Sequence, residues 1–248
     1  MANLLQWIRS IVFQIVLYTS MPVIGLIYLP WALVSRRGAY GAVHGFCRFA
    51  RWAARVIVGL RSEIRGTPPQ GAVMIAAKHQ SFFDIIMIVS VTPHPRFIMK
   101  QELLRTPIVG WYSRQIGCIP VDRGKRGRAI AKLMEAVTEG RAEAGQLVIY
   151  PQGTRTAPGA NLPYKIGTGL IYEELGQPCV PAGTNVGLFW PRGGVFRKPG
   201  LAVVEFLPQM PAGLPRDVFM ARLQETVEAC SNRLMAEAGY TAPAHPGS

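Results

Sequence analysis

The sequence predicts an α/β fold. A mostly parallel or mixed central sheet is flanked by helices, and a hydrophobic, amphipathic helical membrane element precedes it. Three observations carry this expectation. Past the breaker Gly66-Thr67-Pro68-Pro69, short apolar runs alternate with stripes at helical spacing, the pattern of strands joined by helices. Residues 10–35 contain no charged side chain. Hydrophobic residues make up 49% of the 248, which excludes a disordered chain.

The uncharged N-terminal run is preceded by Arg9 and followed by Arg36 and Arg37. As one helix it would reach about 39 Å, enough to cross a hydrocarbon core. Pro22 and Pro30 interrupt it, so a broken helix dipping into one leaflet competes with a true span. Basic residues at both ends leave the orientation open by the positive-inside rule. No small-x-small cleavage site closes the run, which disfavours a signal peptide. Next, Phe49, Trp52, Ala53, Val56 and Leu60 form one stripe, with Arg48, Arg51 and Arg55 off it. This is a basic amphipathic helix suited to a headgroup layer, preferred to a surface helix packed on its own domain.

Strands are expected at 72–77, 96–99, 147–150, 180–184 and 202–206. Ile130, Leu133, Met134 and Val137 form one helical stripe, and Phe219, Leu223, Val227, Cys230 and Leu234 another. The expected division is membrane-associated helices over 1–60, a single enzymatic domain over 61–240 and a frayed tail over 241–248.

The net charge of +13 points to a negative partner: nucleic acid, an anionic membrane surface or a phosphorylated small molecule. The four cysteines are scattered without Cys-x-x-Cys or histidine spacing, so no zinc site is expected and they read as reduced packing residues. There is no Gly-x-Ser-x-Gly elbow, no Walker A loop and no complete dinucleotide fingerprint.

The tightest signal is Lys78-His79-Gln80-Ser81-Phe82-Phe83-Asp84, directly after the 72–77 run. A neutral imidazole beside a carboxylate takes a proton from an alcohol at neutral pH. Two residues five apart on one helix point about 140° apart and do not touch. The spacing works if the helix starts late, with Ser81 as N-cap and Asp84 three residues on. His79 then sits in the preceding loop and folds back on Asp84, whose charge the helix N-terminus favours. A purely capping Asp84 is the plainer alternative.

In α/β sheets reactive groups gather beyond the carboxyl ends of strands. Residues 151–156, Pro-Gln-Gly-Thr-Arg-Thr, follow the 147–150 run. If that strand is parallel to 72–77, both loops open on one edge. Gly153 admits backbone N–H groups to an anion, Thr154 adds a hydroxyl and Arg155 a planar fork of donors. Arg123, after the run 118–121, and Lys100, after 96–99, are further cations at strand ends.

These motifs resemble the 1-acyl-sn-glycerol-3-phosphate acyltransferases (lysophosphatidic acid acyltransferases) of the glycerophospholipid acyltransferase superfamily, over roughly residues 60–210. The family's His-x4-Asp falls on His79 and Asp84. Its Asp-Arg falls on Asp122 and Arg123, its Pro-Glu-Gly-Thr-Arg on 151–155 and its Val-Pro on Val180 and Pro181. A Lys-x-Glu-Leu element falls on Lys100, Glu102 and Leu103. Gln152 stands where the family commonly has glutamate, and Lys78 where it commonly has asparagine.

The resemblance implies transfer of an acyl chain to the sn-2 hydroxyl of lysophosphatidate, forming phosphatidic acid. His79 would be general base and Asp84 its partner. Lys100, Arg123, Gln152, Gly153, Thr154 and Arg155 would contact the acceptor. No cofactor or metal is expected, and acyl-CoA or acyl carrier protein would be the co-substrate. The expected location is a bacterial inner membrane, with the site facing the cytoplasm, anionic lipid as surface partner and no nucleic acid bound. Another lyso-lipid acceptor such as lyso-ornithine lipid is the near alternative, and a non-enzymatic basic membrane or nucleic-acid binder the distant one.

Overall fold

The computed structural model describes residues 2–121 and 145–241. The stripe Ile130 to Val137, the loop holding Asp122 and Arg123, and the tail beyond residue 241 lie outside them. Among the described residues seven strands form one mixed sheet: β1 (Leu60–Arg65), β2 (Val73–Ala77), β3 (Pro95–Lys100), β4 (Ile119–Val121), β5 (Gln146–Ile149), β6 (Cys179–Thr184) and β7 (Gly200–Phe206). Their spatial order is β1-β7-β6-β2-β5-β3-β4. β6 and β7 pair antiparallel and every other pair is parallel. The helices are α1 (Ala2–Val34), α2 (Arg36–Ala53), α3 (Phe83–Val91), α4 (Pro107–Gln115), α5 (Gly167–Leu175) and α6 (Arg216–Glu237).

Alternation along β2 shows how the layers form. Val73, Ile75 and Ala77 join the core beneath α3, with Phe83, Ile86 and Met87. Met74 and Ala76 face the opposite layer, with Ile171, Tyr172, Phe219 and Leu223 of α5 and α6. Successive strand residues point to opposite faces, and all five residues of β2 are buried. This is why a continuous apolar run marks a central strand. The five expected strands match β2, β3, β5, β6 and β7 within two residues at each end.

β1 was not expected as a strand. Arg61, Glu63 and Arg65 break any apolar run there. It pairs only with β7, and an edge strand tolerates charge because one side faces solvent. Two further corrections concern the N-terminus. Pro22 and Pro30 do not break α1, which is one continuous helix. Thr19 and Ser20, just before Pro22, donate their hydroxyls to the carbonyls of Ile15 and Leu17, a local bonding that accommodates proline within a helix. The amphipathic stripe also divides. Helix ends at Val58 in a π-helical turn, Ala54–Val58, and Gly59 at φ 73° turns the chain so that Leu60 opens β1. Ala53 and Leu60 are buried while Trp52 and Val56 are exposed.

α1 and α2 form a hairpin. Ser35 caps α2 by accepting from Arg37 N at 3.2 Å. A Cβ at Gly38 would stand 2.5 Å from Trp31 and Ala32 backbone atoms, so only glycine permits the close turn. The hairpin is built into the domain. Phe13 and Leu17 of α1 and Cys47, Ala50 and Ala53 of α2 share one core with Val58, Ile75 and Phe83. The outer face of α1 stays bare, with Leu4, Ile8, Ile15, Leu26, Ile27 and Trp31 exposed. Its stretch Asn3–Val34 is long and apolar enough to cross a membrane.

Candidate active site

β2 and β5 are parallel neighbours, so the loops that follow them open on the same sheet edge. His79 lies in the loop after β2. Its Nδ1 is 2.9 Å from Oδ1 of Asp84, which is fully buried in the first turn of α3. The other carboxylate oxygen, Oδ2, accepts from Gln80 N at 2.8 Å and Ser81 N at 2.7 Å. Ser81 is not the N-cap itself, because α3 begins one residue later. Its hydroxyl still accepts from Phe83 N at 3.1 Å, satisfying one of the orphan donors of the helix start.

These contacts determine the chemistry. A carboxylate that already accepts two backbone N–H bonds is held in one orientation. It accepts from Nδ1–H, so a neutral imidazole carries its lone pair on Nε2. Thr156 N donates to the His79 carbonyl at 2.8 Å, tying the histidine loop to the loop after β5. Tyr150 stacks on the imidazole at 3.9 Å between centroids and 21° between planes. Burial, and after it the nearby Asp84 charge, raise the Tyr150 phenol well above its usual range, so the ring is neutral. It restricts the imidazole from one face, and sequence reasoning did not identify it, since its only signal was its place at the end of an apolar run.

Residues 153–155 form the turn after β5. Gly153 adopts φ 68°, and a Cβ there would stand 2.8 Å from Lys165 Nζ. Arg192, on the loop after β6, donates to Thr154 Oγ1 at 3.2 Å and to the Arg155 carbonyl at 3.4 Å. Arg155, Lys165 and Arg192 therefore surround one turn, and no described carboxylate pairs with them. Lys165 and Arg192 were also missed from sequence. Arg192 lies further along the loop after β6 than the strand-end rule that selected Arg155 reaches, and Lys165 is brought in by a loop that no pattern marks.

Lys100 is exposed at the end of β3, on the same edge. It is two strands from β2, or about 10 Å along the sheet. Arg123 lies outside the described residues. Gln152 is directed elsewhere: it is 3% exposed, and its amide donates to Glu228 Oε1 at 3.4 Å. It supports the loop from below and does not line the open edge. Glu228 of α6 also receives Lys78 Nζ at 2.8 and 2.7 Å and Tyr164 Oη at 3.0 Å. One half-buried carboxylate thus fastens α6 to the residue before His79 and to both ends of the loop after β5.

The acyltransferase family model matches residues 61–185. A 1-acyl-sn-glycerol-3-phosphate acyltransferase of Pseudomonas aeruginosa is 30% identical over 94% of this chain and 92% of its own. A lyso-ornithine lipid O-acyltransferase of Rhodobacter capsulatus is 33% identical over 44% of this chain and 38% of its own. The crystal structure of the 1-acyl-sn-glycerophosphate (LPA) acyltransferase PlsC from Thermotoga maritima shares the fold. Its TM-score is 0.79 at 19% identity, covering 95% of this chain and all of that one.

Proposed function

The chain belongs to the acyltransferase family, among the 1-acyl-sn-glycerol-3-phosphate acyltransferases, and we propose that His79 is the base with which it turns lysophosphatidate into phosphatidic acid. The observation that carries this reading is the 2.9 Å contact between His79 and buried Asp84, on the edge that holds the cations of the 153–155 turn.

Nε2 of His79 takes the proton of the sn-2 hydroxyl as the oxygen attacks the acyl thioester carbon. When the tetrahedral intermediate collapses, the C–S bond breaks, and the proton on Nε2 passes to the leaving thiolate. The substrate hydroxyl replaces the nucleophilic serine of a triad, so no acyl-enzyme forms. Asp84 holds the tautomer and stabilises the imidazolium. Arg155, Arg192 and Lys165 bind the acceptor phosphate, with Lys100 further along the edge, and so place the hydroxyl beside His79. The donor is acyl-CoA or acyl carrier protein, and the reaction uses no metal or cofactor.

Arg155→Ala and Arg192→Ala are each expected to raise the acceptor KM roughly tenfold or more, since charge-assisted bonds to phosphate are lost, while KM for the thioester stays the same. The test is an acceptor panel containing lysophosphatidate, glycerol-3-phosphate and lyso-ornithine lipid. Preferential turnover of lyso-ornithine lipid, unaffected by either substitution, would refute lysophosphatidate as acceptor.

The bare face of α1 anchors the enzyme in the bilayer, where acceptor and product reside, with its site facing the cytoplasm. Deleting α1 is a poor test, because Phe13 and Leu17 would leave the core. Leu26→Glu with Ile27→Glu changes only exposed positions. It is expected to move the protein from the membrane to the soluble fraction on cell fractionation. Unchanged retention would assign anchoring to another segment.

A further inference from the structure

Away from the catalytic edge, a cleft of about 470 Å³ lies between the end of α2, the π-helical turn and β1, with Arg48, Arg51, Arg55 and Arg61 in its wall. β1 is three strands from β2, about 14 Å across the sheet. Arg51 contacts Ser90 near the far end of α3, about 10 Å along the helix from its start beside His79. The cleft is therefore separate from the anion turn at residues 153–155.

Its charge is not balanced. Arg51 is half-buried, and its guanidinium is held by neutral acceptors alone: Ser62 Oγ at 2.8 Å, Ser90 Oγ at 2.8 Å and the Ser62 carbonyl at 3.3 Å. Burial lowers its pKa. Burial pushes the neighbouring Cys47 thiol up to about 12, so it stays neutral. Glu63, the one acid in the wall, bonds Arg65 at 2.8 Å. Four arginines thus share a concave surface without a counter-ion of their own among the described residues. A fixed, desolvated arginine fork matches phosphate oxygens. The cleft is also amphipathic. Trp52 in its wall and Val56 one turn along are 58% and 61% exposed. The π-helical turn is joined to α1, since Gln6 Nε2 donates to the Val58 carbonyl at 3.0 Å.

We propose that this cleft binds the phosphate headgroup of an anionic membrane lipid, distinct from the acceptor, with the glycerol and proximal chains of that lipid lying against Trp52 and Val56. The proposal rests on the membrane association assigned above to α1. A free phosphate ion would use the same arginines but leave the apolar flank uncovered.

The test is sedimentation of the full chain with two kinds of vesicle: phosphatidylcholine alone, and phosphatidylcholine mixed with phosphatidylglycerol. Arg55→Ala with Arg61→Ala changes two exposed side chains and is expected to leave folding intact. The double variant is expected to match wild type on neutral vesicles, where α1 acts alone. On the anionic vesicles its partitioning should fall roughly 10- to 30-fold. Activity on detergent-dispersed lysophosphatidate should not change. Equal binding of both proteins to anionic vesicles would overturn the proposal. So would a rise in the melting midpoint of wild type with inorganic phosphate, lost in the variant, if vesicle binding were unaffected, since that marks a free-anion site. A raised KM for acyl-CoA with normal vesicle binding would reassign the cleft to the donor. If wild type sediments with neither vesicle, the membrane reading itself fails, and the headgroup proposal fails with it.

Discussion

His79→Ala is expected to lower kcat for acyl transfer by a factor of about 10² to 10⁴, the usual contribution of a positioned general base. Substrate KM values should change little. The substitution removes a ring that is mostly covered but lies at the loop edge, and Asp84 keeps its bonds from Gln80 N and Ser81 N. The loop and the start of α3 therefore remain ordered, and the melting midpoint should stay close to wild type. Release of free thiol from acyl-CoA in the presence of lysophosphatidate gives the rate directly. Near-normal turnover would remove His79 from the chemistry. Asp84→Asn gives a companion result. An amide in place of the buried carboxylate no longer requires Nδ1–H, so it favours the wrong tautomer, and a loss of similar order is expected with the imidazole still present.

Lys78→Met is expected to destabilise the fold by about 3 kcal/mol, the low end for removing one partner of a buried ion pair. Glu228 would keep its carboxylate among Tyr164 and Gln152 with no cation. The low end applies because the Glu228 side chain retains 17% exposure against 2% for Lys78. A loss of that size lowers the melting midpoint by roughly 10 °C in a domain of this length. The pair also makes a charge-exchange experiment decisive. Gln152→Glu alone places a second carboxylate against Glu228 and should destabilise. Glu228→Gln alone leaves Lys78 buried without an anion and should do the same. The double substitution again supplies one carboxylate and should recover most of the loss, together with the acceptor KM, because the anion loop regains its fastening. Additive losses in the double variant would show that Lys78 does not couple these two positions.

The features that were legible from sequence are local or periodic. The strands β2, β3, β5, β6 and β7 were readable because each is buried on both faces or nearly so and appears as an apolar run. β1 was hidden because an edge strand carries charges without penalty. The His79–Asp84 contact was readable because five residues of loop and first helical turn leave one way for the two side chains to meet. Arg155 was readable through its place after a strand, whereas Arg192, further along the loop after β6, was missed. Gln152 belongs to the same motif, but motif position does not say which way a side chain turns, and packing beneath the loop directed it inward.

The chain's order of residues settled the alternation of strands and helices, the pairing of His79 with Asp84, and the apolar character of the first helix. Each depends on neighbours within about one or two turns. Assembly alone decided that α1 would share its inner face with the core beneath α3 and that Tyr150 would stack on the imidazole. It also decided that a glutamate 150 residues away would answer Lys78. Such contacts join segments distant along the chain, and their energies come from excluding water once the layers have closed. Local preference carries no trace of them before that closure.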